Sequence, residues 1–140
     1  MSSALRLTER VGLASDAATV ARNLSYGHRR VLEIARALAV EPKIILLDEV
    51  TAGLNPVETN HVAGIIRQIV ADGMTVVLVE HDMRFVMGLC STITVLNFGQ
   101  TITHGSPGEI ANHPAVIEAY LGRPKGAPTF RQKVRETTHG

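Results

Sequence analysis

The 140 residues contain no Trp, three Phe and two Tyr. So thin an aromatic supply leaves the core to aliphatic side chains and excludes the base-stacking platforms of single-strand nucleic-acid binders. A single cysteine, Cys90, excludes an internal disulfide and suits a reducing compartment. It follows Met87 and Leu89, so a buried thiol is expected rather than a nucleophile. No apolar run approaches membrane-spanning length. The N-terminus carries Arg6, Glu9 and Arg10 where a signal peptide needs an apolar centre. The expectation is a soluble, cytoplasmic chain. Neither H-x-x-x-H nor H-E-x-x-H occurs, which argues against a zinc site.

With 45% apolar and 19% charged residues, the composition is that of a globular domain. The net charge of +1 is unevenly spread. From Arg123 on, five basic residues stand against Glu136, leaving −3 on the remainder. Residues 123–140, with two prolines and two glycines after Gly122, read as a basic flexible tail, and 1–122 as the domain.

Apolar periodicity places helices over 3–11, 28–40 and about 56–72. The middle one carries Val31, Leu32, Ile34, Ala35, Leu38 and Ala39; the last carries Val62, Ile65, Ile66, Ile69 and Val70. Glu41-Pro42 stops the middle helix. Asn55 and Pro56 sit where an N-cap and N1 belong, and Gly73 fits the position after the last turn. "IILL" (44–47) and "TVVLVE" (75–80) are continuous apolar runs, as in strands buried on both faces. A third strand is expected at 92–96, a turn at "NFGQ", a strand back at 101–104, and short helices from Asp82, Ser106 and Pro114. Alternating strands and helices imply a parallel sheet, with chemistry beyond the strands' carboxyl ends.

Asp48 and Glu49 lie just beyond the first strand, and His81 just beyond the second. A carboxylate there can hold Mg²⁺ partly through water, and a second can orient or deprotonate a water. A solvated turn-capping pair serves the same spacing equally well. In "LSYGHRR" (24–30), Ser25 and Gly27 precede a helix N-terminus, where free N–H groups form an anion cradle; an ordinary Ser-Gly cap is the commoner use. Arg29 and Arg30 read as solvated, and His81 as either a phosphate donor or a local hydrogen-bonding residue.

Taken in order, "LSYGH", "VLEIARALAVEPKIILLDE", "AGLNP" and "TVVLVEHDM" resemble the signature loop, Walker B strand, D-loop and switch histidine of an ATP-binding-cassette (ABC) ATPase domain. Tyr26, Asn55 and "PAVIEAYLG" resemble the ATP-binding subunits of branched-chain amino acid uptake systems; urea and amide uptake ATPases share such features. The resemblance implies an α/β fold, the C-terminal half of a P-loop NTPase domain, with a mainly parallel sheet flanked by helices.

It also implies roles. Glu49 and His81 are catalytic, as base and γ-phosphate sensor. Asp48 places Mg²⁺. Leu24, Ser25, Tyr26, Gly27 and His28 bind ATP held by a partner, and Asn55 lies at the dimer seam. The implied partners are a second ABC ATPase subunit, paired head to tail, and membrane permease subunits, with no nucleic acid. The implied location is the inner face of the cell membrane.

Tyr26 replaces a glycine and His28 a glutamine, which puts the signature contacts there in question. Val50 stands where proline usually follows the Walker B glutamate, which is expected to loosen that turn. No Gly-Lys pair occurs, so the Walker A P-loop is absent from these residues. The resemblance therefore implies a chain beginning inside the helical subdomain, with an exposed apolar sheet face and no ATPase activity by itself. A non-enzymatic fragment that pairs with an intact ATPase is the alternative, with a non-transport ABC ATPase behind it.

Overall fold

The computed structural model describes residues 3–121. The basic tail expected at 123–140 lies outside them. The chain forms two compact units, one ending at His81 and one starting at Asp82.

In the first unit α1 (Ser3–Arg10) leads through Gly12, at φ +76°, into short 3₁₀ turns at Ala14–Asp16 and Ala21–Asn23. Helix α2 (Tyr26–Leu38) follows, then β1 (Ile44–Asp48), α3 (Pro56–Ala71) and β2 (Thr75–Val79). Each helix start has a local cause. Ser25 caps α2, its hydroxyl oxygen accepting from His28 N–H at 3.1 Å. Asn55 caps α3 in a reciprocal box: its Oδ1 accepts from Glu58 N–H, while Glu58 Oε2 accepts from Asn55 N–H, each at 3.0 Å. Gly73, at φ +91°, ends α3 in the left-handed conformation its position suggests.

Strands β1 and β2 pair in parallel, Leu46 beside Val77 and Asp48 beside Val79. Burial corrects the expectation that both strands are covered on two faces. Ile45 and Leu47 are buried, but Ile44, Leu46, Val77 and Val79 on the other face are exposed, Leu46 to 75%. Helix α3 packs against β2. It buries Val62, Ala63, Ile65, Ile66 and Ile69 while leaving Val70 exposed. The open face agrees with the exposed apolar surface that the resemblance implies.

The second unit starts with α4 (Met83–Leu89), capped by Asp82, whose Oδ1 accepts from Arg84 and Phe85 N–H. Strands β3 (Ile93–Asn97) and β4 (Gln100–Gly105) form an antiparallel hairpin, a sheet of their own. The third strand's ladder is thus antiparallel, not an extension of the parallel pair. Its turn holds Phe98 at φ +48° and Gly99 at φ +75°, both positive as the right-handed twist of a tight hairpin favours. Helices α5 (Pro107–Ala111) and α6 (Pro114–Val116) follow, α6 running into a π turn at Ile117–Leu121. The buried residues here include Phe85, Val86, Ile93, Val95, Ile110 and Val116. Cys90 is half-buried rather than a full core residue, and burial pushes its thiol pKa up. No helix among the described residues is long and apolar enough to cross a membrane.

Candidate functional site

The carboxyl ends of β1 and β2 bring three of the expected site residues together. Asp48 ends β1 on its exposed face. Glu49 then takes φ +46°, a left-handed conformation that is costly for a residue with a Cβ and must be held by its surroundings. It is held from both sides. Its N–H donates to Val79 O at 2.9 Å, and its own carbonyl oxygen accepts from Ala52 N–H at 3.2 Å. Glu80 braces the turn, Oε1 accepting from Thr51 N–H at 3.0 Å and from the Thr51 hydroxyl at 2.9 Å. Val50 is buried within this turn. Its side chain joins the core, and backbone bonds close the bend.

His81, one residue past Glu80, places Nδ1 3.5 Å from Glu49 Oε1, with both side chains largely exposed. A carboxylate and an imidazole thus face one another beyond two parallel strand ends, open to a ligand. Asp48 adds one hard oxygen donor set. Among the described residues no group of three or more His, Cys, Asp or Glu could hold a metal by itself. Mg²⁺ keeps several waters and takes its remaining ligands from one or two carboxylates and phosphate oxygens, and the Asp48 carboxylate is a donor of that kind.

Residues 24–28 are engaged within the chain itself. Leu24 is buried, an anchor before the helix. Ser25 caps α2, yet its hydroxyl hydrogen stays available as a donor. His28 Nδ1 lies 3.1 Å from Asp16 Oδ2. Gly27 does allow a close approach, and the group that uses it is Glu58: a Cβ on Gly27 would lie 2.4 Å from Glu58 Oε1. Tyr26 turns to the loop after β1, its hydroxyl donating to Ala52 O at 3.1 Å. A Cβ on Gly53 would meet the Tyr26 ring at 3.1 Å, at a φ of +76°.

Arg30 is not simply solvated. It donates to Glu33 Oε2 and to the Tyr26 hydroxyl, each at 3.0 Å, and its guanidinium carbon lies 5.4 Å from the Tyr26 ring centroid. Glu33 first, then Tyr26, raise its pKa from an already high value.

Three contributors were not singled out from sequence: Glu58, Glu80 and Thr51. Asn-x-x-Glu before an apolar helix signals the Glu58 box. Nothing in the local pattern signals the Glu80–Thr51 brace, which joins residues 29 apart. Asn55 itself is occupied as a helix cap. A cavity of about 210 Å³ lies between Gly27, His28, Glu58 and His61. It touches none of Asp48, Glu49 and His81. The strand-end geometry, rather than this hollow, is therefore the better guide to chemistry.

A family described as "ABC transporter" matches residues 2–52, and one described as "Branched-chain amino acid ATP-binding cassette transporter" matches residues 100–125. The high-affinity branched-chain amino acid transport ATP-binding protein LivG of Salmonella typhimurium is 47% identical over 115 residues, covering 81% of this chain and 45% of LivG. The corresponding protein BraF of Pseudomonas aeruginosa is 42% identical over 123 residues, 87% of this chain and 48% of BraF. The crystal structure of a nucleotide-free ATP-binding cassette from an ABC transporter superposes with a TM-score of 0.77 at 31% identity, covering 86% of this chain and 49% of that one. The chain spans about half the length of the curated relatives it matches.

Proposed function

We propose that this chain, which corresponds to the C-terminal half of an ABC transporter ATP-binding domain, hydrolyses ATP within a complete domain to drive an importer. Branched-chain amino acids are the proposed cargo class, since the LivG and BraF names carry that transport. The observation that supports the reading best is the Glu49–His81 pair, 3.5 Å apart beyond the ends of β1 and β2.

Bound Mg²⁺ would offset negative charge on the phosphates, held in part by Asp48. Glu49 accepts a proton from the attacking water. His81 turns Nδ1 toward Glu49 Oε1, 3.5 Å away, which leaves Nε2 facing outward for a phosphate oxygen. The left-handed backbone of Glu49, fixed by Val79 and Ala52, points the base without reorganisation at the moment of reaction.

At the start of α2, the Ser25 hydroxyl and the first-turn N–H groups of Tyr26 and Gly27, with His28 beside them and Leu24 buried behind, form the signature surface for ATP held by a second ATPase subunit. The positive end of the helix dipole favours that anion. Asn55, capping α3, lies at the seam of such a head-to-tail pair. The pair would sit on permease subunits at the inner face of the cell membrane. The 140 residues, without a Gly-Lys P-loop, are proposed to be inactive by themselves.

The test is Glu49→Gln and His81→Ala in a full-length domain carrying these residues. Turnover should fall roughly 10²–10⁴-fold for Glu49→Gln, the range for loss of a general base, with ATP binding retained. Near-wild-type turnover in Glu49→Gln would reject the reading.

A further inference from the structure

A continuous run of hydrogen bonds leads from α2 to the backbone of Glu49. Arg30 donates to the Tyr26 hydroxyl at 3.0 Å. That hydroxyl donates to Ala52 O at 3.1 Å. Ala52 N–H in turn donates to Glu49 O at 3.2 Å. Apolar contact reinforces the middle link, because the Tyr26 ring lies close against Gly53. Donors and acceptors match at every step. Arg30 has only donors, Tyr26 accepts one bond and gives one, and Ala52 holds both ends of the link, its carbonyl bonded to Tyr26 and, across its Cα, its N–H bonded to Glu49.

The positions matter as much as the bonds. Tyr26 opens α2, immediately after Ser25, so it belongs to the surface proposed to meet ATP on a partner subunit. Glu49 belongs to the site on its own subunit. Glu49 also holds the strained φ of +46°, so whatever fixes the 49–52 turn fixes the direction of its carboxylate. A glycine at position 26 could supply neither the hydroxyl nor the ring.

We propose that Tyr26 is a positioning residue: it ties the signature helix to the Glu49 turn, so that engagement of the signature loop at one ATP site sets the base at the other. The proposal rests on the reading of Glu49 as the base. The Tyr26 side chain thereby acts through the backbone of its own chain rather than on the nucleotide.

The test uses full-length protein carrying these residues, with Tyr26→Phe as the main variant. Phenylalanine keeps the ring on Gly53 and removes only the hydroxyl. Amide exchange across 49–54 should quicken roughly 3- to 10-fold, the range one neutral hydrogen bond accounts for. The kcat for ATP should fall by a similar roughly 3- to 10-fold factor, with KM nearly unchanged. Arg30→Leu should lower kcat in the wild-type background, yet add less than about 2-fold once Tyr26→Phe is present, because both act on one relay.

Unchanged exchange across 49–54 overturns the tie. Quickened exchange with unchanged kcat, a raised KM at constant kcat, or fully additive effects of the two variants overturns the positioning role. Glu49→Gln in the same protein separates the two readings. If it keeps wild-type turnover, the assignment of the base has failed, while exchange in Tyr26→Phe still decides whether the tie exists.

Discussion

Gly27 and Glu58 approach so closely that a methyl group on Gly27 would lie 2.4 Å from Glu58 Oε1. Glu58 cannot simply swing away, because its other oxygen accepts from Asn55 N–H in the cap of α3. The two residues are 31 apart in sequence, and each answers to a different helix. Gly27→Ala should gain up to about 1 kcal/mol in helix propensity and lose roughly 0.5–1.5 kcal/mol as the cap bond breaks. The net effect in the wild-type background is therefore near zero or unfavourable. In a Glu58→Ala background the same substitution should stabilise by about 0.5–1 kcal/mol. Urea unfolding of the four proteins in the cycle checks this; a stabilisation of equal size in both backgrounds contradicts the contact.

Leu46 and Leu47 are neighbours on β1 with opposite surroundings, 75% and 6% exposed. In the 140-residue chain Leu47→Ala should cost about 2–5 kcal/mol, as buried leucines do. Leu46→Ala should stay within about 0.5 kcal/mol. In a full-length domain the Leu46 cost should rise toward the Leu47 range if further chain covers that face. Unfolding curves of both variants in both lengths give the answer.

Asp48 offers oxygen at the end of β1. In a full-length domain Asp48→Asn should raise the Mg²⁺ concentration for half-maximal turnover by at least roughly 10-fold, the lower end of what losing a ligand's supporting hydrogen bond costs. A Mg²⁺ titration of ATPase rate measures it, and an unchanged midpoint removes Asp48 from the metal site.

Glu109 closes the cap of α5, accepting from Ser106 N–H at 2.7 Å and from the Ser106 hydroxyl at 2.8 Å. These bonds, the backbone one first, lower its pKa from 4.5. The folded state thus releases the proton more readily than the unfolded chain. The stabilisation is full above pH 4.5 and fades as pH falls through the lower folded value. Glu109→Gln should flatten this acid limb of the stability curve while leaving its shape near neutrality unaltered. Unfolding measured from about pH 3 to pH 7 compares the two.

Cys90 is half-buried, with its thiol pKa raised above 9.0 by burial. The thiolate is the reactive form. Alkylation at neutral pH should therefore run slower than for an unfolded-chain cysteine, and denaturing urea should remove the difference. Mass spectrometry of a timed iodoacetamide reaction follows both rates.

The elements that a local pattern can specify were readable in advance. Ser25, Asn55-Pro56, Asp82 and Ser106-Pro107 start helices because a short polar side chain, some with proline after it, satisfies the first free N–H groups. "NFGQ" makes the hairpin turn because Gly99 accepts positive φ at little cost, and Phe98 is carried along with it. The order Asp48, Glu49, His81 beyond two strands was also legible, since parallel pairing brings the strand ends side by side.

Other features depend on which segments meet. An apolar run such as "IILL" cannot reveal which faces are covered, because coverage belongs to the neighbours; Leu46 and Leu47 differ only through theirs. Tyr26 reads locally as a departure from glycine in a phosphate-facing loop, yet packing sends its hydroxyl to Ala52, 26 residues away. Arg30 reads as a solvated charge until Tyr26 and Glu33 are placed beside it. The sequence by itself determined the caps, the turns, the strand ends and the chemical types available there, because those follow from short-range hydrogen bonding and side-chain period. Only the tertiary structure decided that Gly27 makes room for Glu58, that Glu80 braces the Glu49 turn, and that Tyr26 links that turn to α2, because those bonds form only after the core has aligned distant segments.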